Sequence, residues 1–366
     1  MAINFLSKAP KNRLRGTAVV RLDLNDDGYR MERSLPTLKY LMKWADKIVL
    51  LSHKGRPKPS LISRGNKKFS LEKESEKMSK MLGEPIEFVN HMRISEAGNE
   101  IRNAPQKSIF MLENVRFIEG EIEDEKEVAE HLSTLGNYFI NEAFASSHRK
   151  NASVTGITKF IPSYGGFLFE EEIEKLSKIL KKSKKPLIAI FGGSKIKSKM
   201  ATIINFRKRA DKILVGGAIA NTLLYLKGEK VGKSLVEKEM DGAVLGIAEM
   251  KNLVLPIDFR KKGSAILDIG PKTEKEFIFL IKKARTIVWN GPMGMFEKKG
   301  FDEGSKKIAR AIANSKAFSV IGGSETSSLI RKMKLENKFG FISTGGGAML
   351  EFLAERKLPG IEVLKK

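Results

Sequence analysis

Apolar and polar positions alternate along this chain in two recurring patterns. Short β-rich apolar runs at Thr17–Leu22, Lys47–Leu51, Ser108–Leu112 and Asn137–Ile140 read as buried strands, and between them Leu35–Ala45 and Lys126–Leu135 carry apolar residues at helical spacing. The alternation resumes with strand candidates at Pro186–Phe191, Lys212–Val215, Leu253–Leu255, Thr286–Trp289 and Phe318–Ile321, separated by helical stretches such as Thr273–Lys283 and Glu303–Ala313. Strand and helix repeated in this order predict parallel sheets flanked by helices, an α/β fold. Between the two series, Gly166–Lys185 is a long amphipathic stretch with a basic end closed by Pro186, and it is the predicted connector between two domains. A length of 366 residues agrees with two cores, since single cores stop growing near roughly 250 to 300 residues.

Composition narrows the function classes. The chain is 41% hydrophobic with 32 dispersed Gly, which disfavours collagen-like and disordered readings. It has no Cys, which excludes a disulfide framework, a thiolate metal site and a cysteine nucleophile. The four His, at 53, 91, 131 and 148, form no close pair of metal-ligand spacing. Met1–Arg15 lacks a signal-like apolar core and no run of about 18 apolar residues occurs, so a cytoplasmic protein without a membrane partner is expected. A formal charge of +24 implies attraction to nucleic acid, acidic lipid or phosphorylated metabolites. The lysines are mostly spread singly, with one short cluster at Lys181, Lys182, Lys184 and Lys185. Aromatic content is 8%, with no basic platform interleaved with aromatics, so no specific nucleic-acid partner is expected.

In open α/β sheets, ligands bind beyond the carboxyl ends of strands. In the first half those positions hold Asp23, Leu24 and Asn25, then His53, Lys54, Gly55 and Arg56, then Arg116, then Arg149, with Arg30 nearby. Guanidinium groups match phosphate and carboxylate oxygens bidentately, so several aimed at one cleft suit a small polyanion. The second half instead carries glycine turns after its strands: Gly192-Gly193-Ser194-Lys195, Gly216-Gly217, Asn290-Gly291-Pro292, Gly322-Gly323-Ser324-Glu325-Thr326 and Gly345-Gly346-Gly347. Such turns let backbone N–H groups approach phosphate closely, and five of them argue for a nucleotide. Neither GxxxxGK[ST] nor GxGxxG is present, so the cradle is of another kind. Lys195 and Lys199 straddle a predicted helix start, where a lysine opposes the helix dipole and so suggests a purpose. Glu325 could hold Mg²⁺ that bridges nucleotide phosphates.

The runs RLDLN, SHKGRP, LENVRF, NEAFASSHR, GGSK, VWNGPMGMFE and STGGGAMLEF occur in the order and approximate spacing of phosphoglycerate kinases, and the resemblance extends from about Thr17 to Glu362. It implies two Rossmann-like domains joined by a hinge helix, with 3-phosphoglycerate held by residues 1–168 and Mg-ATP by 169–349, the tail from about 350 to 366 packing back on the first domain. It implies reversible transfer between ATP and 3-phosphoglycerate to give ADP and 1,3-bisphosphoglycerate, and a monomer. By matching motif, Asp23, Asn25, Arg30, His53, Arg56, Arg116 and Arg149 would bind the phosphoglycerate, with Leu24, Lys54 and Gly55 beside them. Gly193, Lys199, Gly217, Asn290, Pro292, Glu297 and Gly323 to Thr326 would bind nucleotide. Lys195, Arg30 and the amides at Gly345 to Gly347 would stabilise the transferring phosphoryl group, so Arg30, Lys195, Lys199 and Gly346 are the catalytic candidates, and Lys195 also stands with the nucleotide-binding residues. Arg30 lies six residues before Pro36, as the family's arginine does, and Arg33 is its rival. The sequence departs from the family pattern at Glu325, usually Asp; at Ser324, usually Gly; at Ser198, usually Asp; at Asn151, commonly His; and in a shortened stretch between Asn25 and Arg30.

Overall fold

The computed structural model describes residues 2–25, 28–57, 67–90, 94–238 and 242–366. His91 and part of the short stretch before Arg30 lie outside them. The chain forms two compact units, one of Met1–Ile173 with Lys357–Lys366 and one of Glu174–Arg356. The division falls inside the connector, a single helix over Phe167–Lys182.

Each unit is built on a six-stranded parallel sheet. The first contains β1 (Thr17–Arg21), β2 (Lys47–Leu51), β3 (Glu87–Val89), β4 (Ile109–Leu112), β5 (Tyr138–Asn141) and β6 (Ser163–Gly165), in the order β3-β4-β2-β1-β5-β6. The second contains β7 (Leu187–Phe191), β8 (Lys212–Val215), β9 (Leu253–Val254), β12 (Thr286–Asn290), β13 (Phe318–Gly322) and β14 (Phe341–Ile342), in the order β14-β13-β12-β7-β8-β9. An antiparallel hairpin, β10 (Phe259–Lys262) with β11 (Ala265–Ile269), stands apart from it.

Inner strands read as apolar runs because helices cover both sheet faces. In the first unit Ala18, Val20, Ile48 and Leu50 pack into one core, and Val19, Val49, Leu51 and Phe110 into another on the opposite face. Strands β3, β6 and β14 were not expected; each is only two or three residues long and ends a sheet. The helix placed at Leu35–Ala45 begins at Tyr29 and runs to Trp44, with Pro36 inside it, which brings Arg30 and Arg33 onto its first turns.

Both strand orders reverse direction beside the first strand of their unit. The crevice at the carboxyl ends lies between β1 and β5 in the first unit and between β7 and β12 in the second.

Candidate functional site

In the first unit the residues after β1 and β5 meet across that crevice. Asp23 is the centre of the cluster: Arg30 donates to its Oδ1 at 2.8 Å, the Asn25 amide donates to Oδ1 at 3.1 Å and the Ser146 hydroxyl to Oδ2 at 3.0 Å. Burial pushes the Asp23 carboxyl up, but Arg30 above all, with the Asn25 amide and Arg21, holds it well below the usual carboxylate range. Arg33, the rival, pairs instead with Glu171 on the connector helix. Asn25 donates to the His53 carbonyl at 2.6 Å and accepts from the Gly55 amide at 2.7 Å, which ties the turn after β2 to the turn after β1. Gly55 sits at φ +64, and a Cβ there would meet the Phe69 ring at 2.5 Å.

His53 is buried, and Arg21 lies 3.0 Å from its Nδ1. A guanidinium only donates, so this contact assigns Nδ1 as acceptor and leaves the proton on Nε2. Burial, then Arg21, with smaller contributions from Arg116 and Arg149, pushes the imidazole far below its ordinary value, against the pull of Asp23. His53 is therefore a neutral donor through Nε2.

Arg56, Arg116, Arg149 and Lys150 line one hollow of the same unit, with Ile122 and Asn151. Burial and the neighbouring Arg149 bring Arg116 down to about 10, so it stays charged at neutral pH. Not every expected residue turns its side chain toward this cluster. Leu24 packs into the core, and Lys54 pairs with Glu74 at 2.9 Å.

The second unit brings its glycine turns together by backbone contact. Gly192 N–H donates to the Asn290 carbonyl at 3.0 Å, Gly193 N–H to that of Pro292 at 2.8 Å and Gly217 N–H to that of Met293 at 2.7 Å. A Cβ on Gly192 would lie 2.0 Å from the Pro292 oxygen, so only glycine allows this approach. Around Gly193, at φ +91, stand Lys199 and Glu325; a Cβ built on it would lie 3.5 Å from Lys199 Nζ and 3.8 Å from Glu325 Oε2. Burial lowers the lysine against the pull of Glu325, and burial with Glu297 raises the carboxyl against the pull of Lys199. Opposite charges desolvated beside a glycine mark a place prepared for a charged ligand.

Asn290 adds a buried polar side chain to the glycine turns. Its side-chain Nδ2 is buried with no hydrogen-bond partner, against a glycine pair at Gly322 and Gly323. A buried donor left unmatched costs about 1–3 kcal/mol, which a ligand oxygen would recover. Next to these residues opens a cleft of about 870 Å³, partly open to solvent, with Glu297 at its edge and an apolar wall that includes Leu235, Phe259, Ile266 and Met293. Lys195 is exposed, and the Ser198 hydroxyl donates to its carbonyl at 2.8 Å. Thr326 is spent within the fold, its hydroxyl accepting from Gly291 N–H at 2.8 Å.

A family model described as phosphoglycerate kinase matches residues 17–356. The chain belongs to the phosphoglycerate kinase family. The phosphoglycerate kinase of Pseudothermotoga lettingae is 38% identical over 377 aligned positions that cover 94% of each chain. The solved phosphoglycerate kinase of Coxiella burnetii matches with a TM-score of 0.82 at 33% identity over 99% of both chains. That of Pyrococcus horikoshii matches at 0.85 and 30% identity over 99% of this chain and 98% of its own.

For a phosphoglycerate kinase, some of what surrounds the motifs was missed in the sequence. Arg21, 2% exposed, donates to Ser153 Oγ at 2.9 Å, and Ser153 donates to the buried Glu121 at 2.6 Å. Asn151 reaches the same carboxylate at 3.4 Å. This buried chain backs His53, and its signal was available: an arginine ending the otherwise apolar run TAVVR has no structural reason to be there. In the second unit Asp268, also unforeseen, accepts from Gly304 N–H at 2.8 Å and lines the cleft. Its carboxyl is raised to about 7, burial outweighing the amides of Gly304 and Ile269.

Proposed function

We propose that the first unit holds 3-phosphoglycerate and the second holds ATP or ADP with Mg²⁺, and that the γ-phosphoryl group passes reversibly between ATP and the phosphoglycerate carboxylate. The unmatched Asn290 donor beside the Lys199–Glu325 pair is the observation that carries the nucleotide assignment. The nucleotide base packs on the apolar wall of the cleft, with Glu297 near the ribose and the amino-terminal turn of the helix Ser324–Lys332 on the phosphates.

In the first unit the guanidinium groups of Arg30, Arg56, Arg116 and Arg149 take the substrate's phosphate and carboxylate oxygens. Asp23 cannot bind an anion. It orients Arg30 and accepts from the substrate hydroxyl, while neutral His53 donates through Nε2. No residue need act as a base, because the acceptor carboxylate is already ionised near neutral pH. Its oxygen bonds to the γ-phosphorus as the bond from phosphorus to the β–γ bridging oxygen breaks, and ADP leaves with that electron pair. The protein's work is in-line positioning and neutralisation of the equatorial oxygens, which falls to Lys195, Arg30 and the amides around Gly346.

Glu325 fits Mg²⁺: it is a hard oxygen donor in the first turn of the helix Ser324–Lys332, within the nucleotide cradle. One carboxylate suffices, because Mg²⁺ usually takes its other ligands from phosphates and water. When bound, the ion would neutralise charge on the phosphates.

A coupled assay for ATP- and Mg²⁺-dependent phosphorylation of 3-phosphoglycerate tests the reading. Lys195→Ala should reduce turnover by at least about tenfold while both substrates still bind, since its contact strengthens in the transition state. A folded, ATP-binding wild type without turnover would overturn it.

A further inference from the structure

The positive charge of this protein is not evenly shared. Unit Glu174–Arg356 carries 37 Lys and Arg against 18 Asp and Glu, a net of +19, whereas the first unit carries 30 against 25, a net of +5. Within the second unit, the parallel topology brings every helix-to-strand connection to one edge of the sheet, the amino end, opposite the nucleotide cradle. The six segments that enter the strands there span 181–186, 207–212, 249–252, 282–285, 314–317 and 332–340, and they hold 16 Lys and Arg against 3 Asp and Glu. The corresponding segments of the first unit, 12–16, 45–47, 83–86, 103–108, 134–137 and 159–162, hold 5 against 2. Two sheets with the same kind of connection therefore differ, so the fold itself does not require the charge.

Helix dipoles account for only part of it, since Lys181, Lys182, Lys282, Lys283, Lys332 and Lys338 lie in a last turn. They favour cations in the last turn of a helix. Lys184, Lys208, Lys251, Arg285 and Lys316 lie beyond the helix ends that precede their strands, Lys338 closes the three-residue turn Glu336–Lys338 before β14, and all six are exposed. In these segments Lys185 pairs with Asp211 at 3.2 Å and Arg209 with Glu355 at 2.5 Å, and among the described residues the other cations make no ion pair.

We propose that this edge is a docking surface for the phosphodiester backbone of a nucleic acid, bound without regard to sequence. At about 4.8 Å per strand, six strands span about 24 Å. A duplex laid along that width, with one charge per about 1.7 Å, presents on the order of ten phosphates to the row of cations. Lysine predominates, which suits backbone contact rather than base reading. Among the described residues, none of the exposed large apolar side chains falls in these segments, so the face has no wedge to insert into a lipid surface. Because the cradle lies at the other end of the strands, bound nucleic acid leaves the nucleotide cleft open.

The test is fluorescence anisotropy of a labelled RNA of about 30 nucleotides, its DNA counterpart and the DNA duplex, with the full chain, between about 50 and 200 mM salt. The comparison protein carries Lys184→Glu, Lys208→Glu, Arg285→Glu and Lys338→Glu together. The wild type should show Kd rising steeply with salt. The variant should keep wild-type kinase turnover, bind at least about tenfold more weakly and show a log–log salt slope shallower by about 3, as expected for the loss of four phosphate contacts. Saturating Mg-ATP should displace nothing. If the charge reversals prevent folding, the same four positions as Gln make the comparison. Unchanged binding by the variant, displacement by Mg-ATP, or tighter binding to phosphatidylserine vesicles than to any nucleic acid would each overturn the proposal.

Discussion

Two arginines three residues apart, Arg30 and Arg33, show how little separation decides a role. Both lie near the start of one helix, yet Arg30 reaches Asp23 at 2.8 Å while Arg33 turns to the half-exposed Glu171. Losing a charge-assisted contact in a buried cluster costs about 1.5–3 kcal/mol, so Arg30→Ala should lower kcat/KM for phosphoglycerate by roughly 10- to 150-fold. An exposed ion pair contributes about 0–1 kcal/mol, so Arg33→Ala should change it less than about fivefold. Steady-state kinetics on the two variants separates them, and a loss in Arg33→Ala with Arg30→Ala unchanged would move the assignment to Arg33. His53 allows a second check that needs no turnover. Its native value lies far below the ordinary imidazole value, so below about pH 6.5 the unfolded chain takes up a proton that the native state refuses. Its contribution to stability is thus full above that value and lost as pH falls. Nitrogen NMR should find the Nε2–H tautomer unchanged from pH 8 to about pH 5, and Arg21→Met, which removes the donor to Nδ1, should let the Nδ1–H tautomer appear. A wild-type ring that titrates near 6.5 would show that the Arg21 contact does not hold the tautomer.

The connector helix is held at its first turn by a buried carboxylate. Glu142, just after β5, accepts from the Thr37 hydroxyl at 2.6 Å and from Leu168 N–H at 3.1 Å, while a Cβ on Gly166 would lie 1.9 Å from its other oxygen. Burial raises it to about 7, partly offset by Thr37, the amides of Leu168 and Phe169, and Arg33. The native state thus keeps a proton that the unfolded chain releases between about pH 4.5 and 7, so stability falls as pH rises through that window. Glu142→Gln should stabilise the protein by about 1–3 kcal/mol at pH 8 and change little at pH 4.5, as read from urea denaturation. Equal effects at both pH values would mean that the carboxyl is ionised throughout. Neither the carboxyl's burial nor its partners could be read in the sequence, because Thr37 and Leu168 are distant in the chain. Inner strands such as Lys47–Leu51 were legible because a parallel sheet covered on both faces demands continuous apolar runs. The edge strands β3 and β14 were not, since three partly covered residues in one and a single buried pair in the other are too short to form such a run. The site was legible where glycine turns and arginines follow strands, and obscure where a buried side chain such as Arg21 acts through another.

The chain returns at its end to the unit in which it began. Residues Lys357–Lys366 belong to the first unit, where Asn4 N–H donates to the Leu364 carbonyl at 2.8 Å and Lys366 N–H to that of Ala2 at 2.9 Å. Gly360 N–H donates to the Ser147 carbonyl at 2.9 Å, one residue beyond the Ser146 that bonds Asp23. Leu358, Ile361 and Leu364 are buried at 1%, 5% and 1% exposure, so the tail contributes three core side chains to the unit with the phosphoglycerate cluster. At about 1.5–3 kcal/mol for each, and as an upper bound, their removal costs on the order of 5–9 kcal/mol, comparable to the stability of a domain. A chain ending at Arg356 should therefore lose phosphoglycerate binding, and hydrogen exchange should accelerate across residues 2–173. The second unit keeps its sheet, its glycine turns and its cleft without the tail, so nucleotide affinity should stay within about twofold of wild type, under 0.5 kcal/mol. Calorimetric titration with each ligand separately makes the comparison. Loss of both affinities together would mean that the two units do not fold independently, and retention of both would mean that the tail's three side chains are not part of the first core.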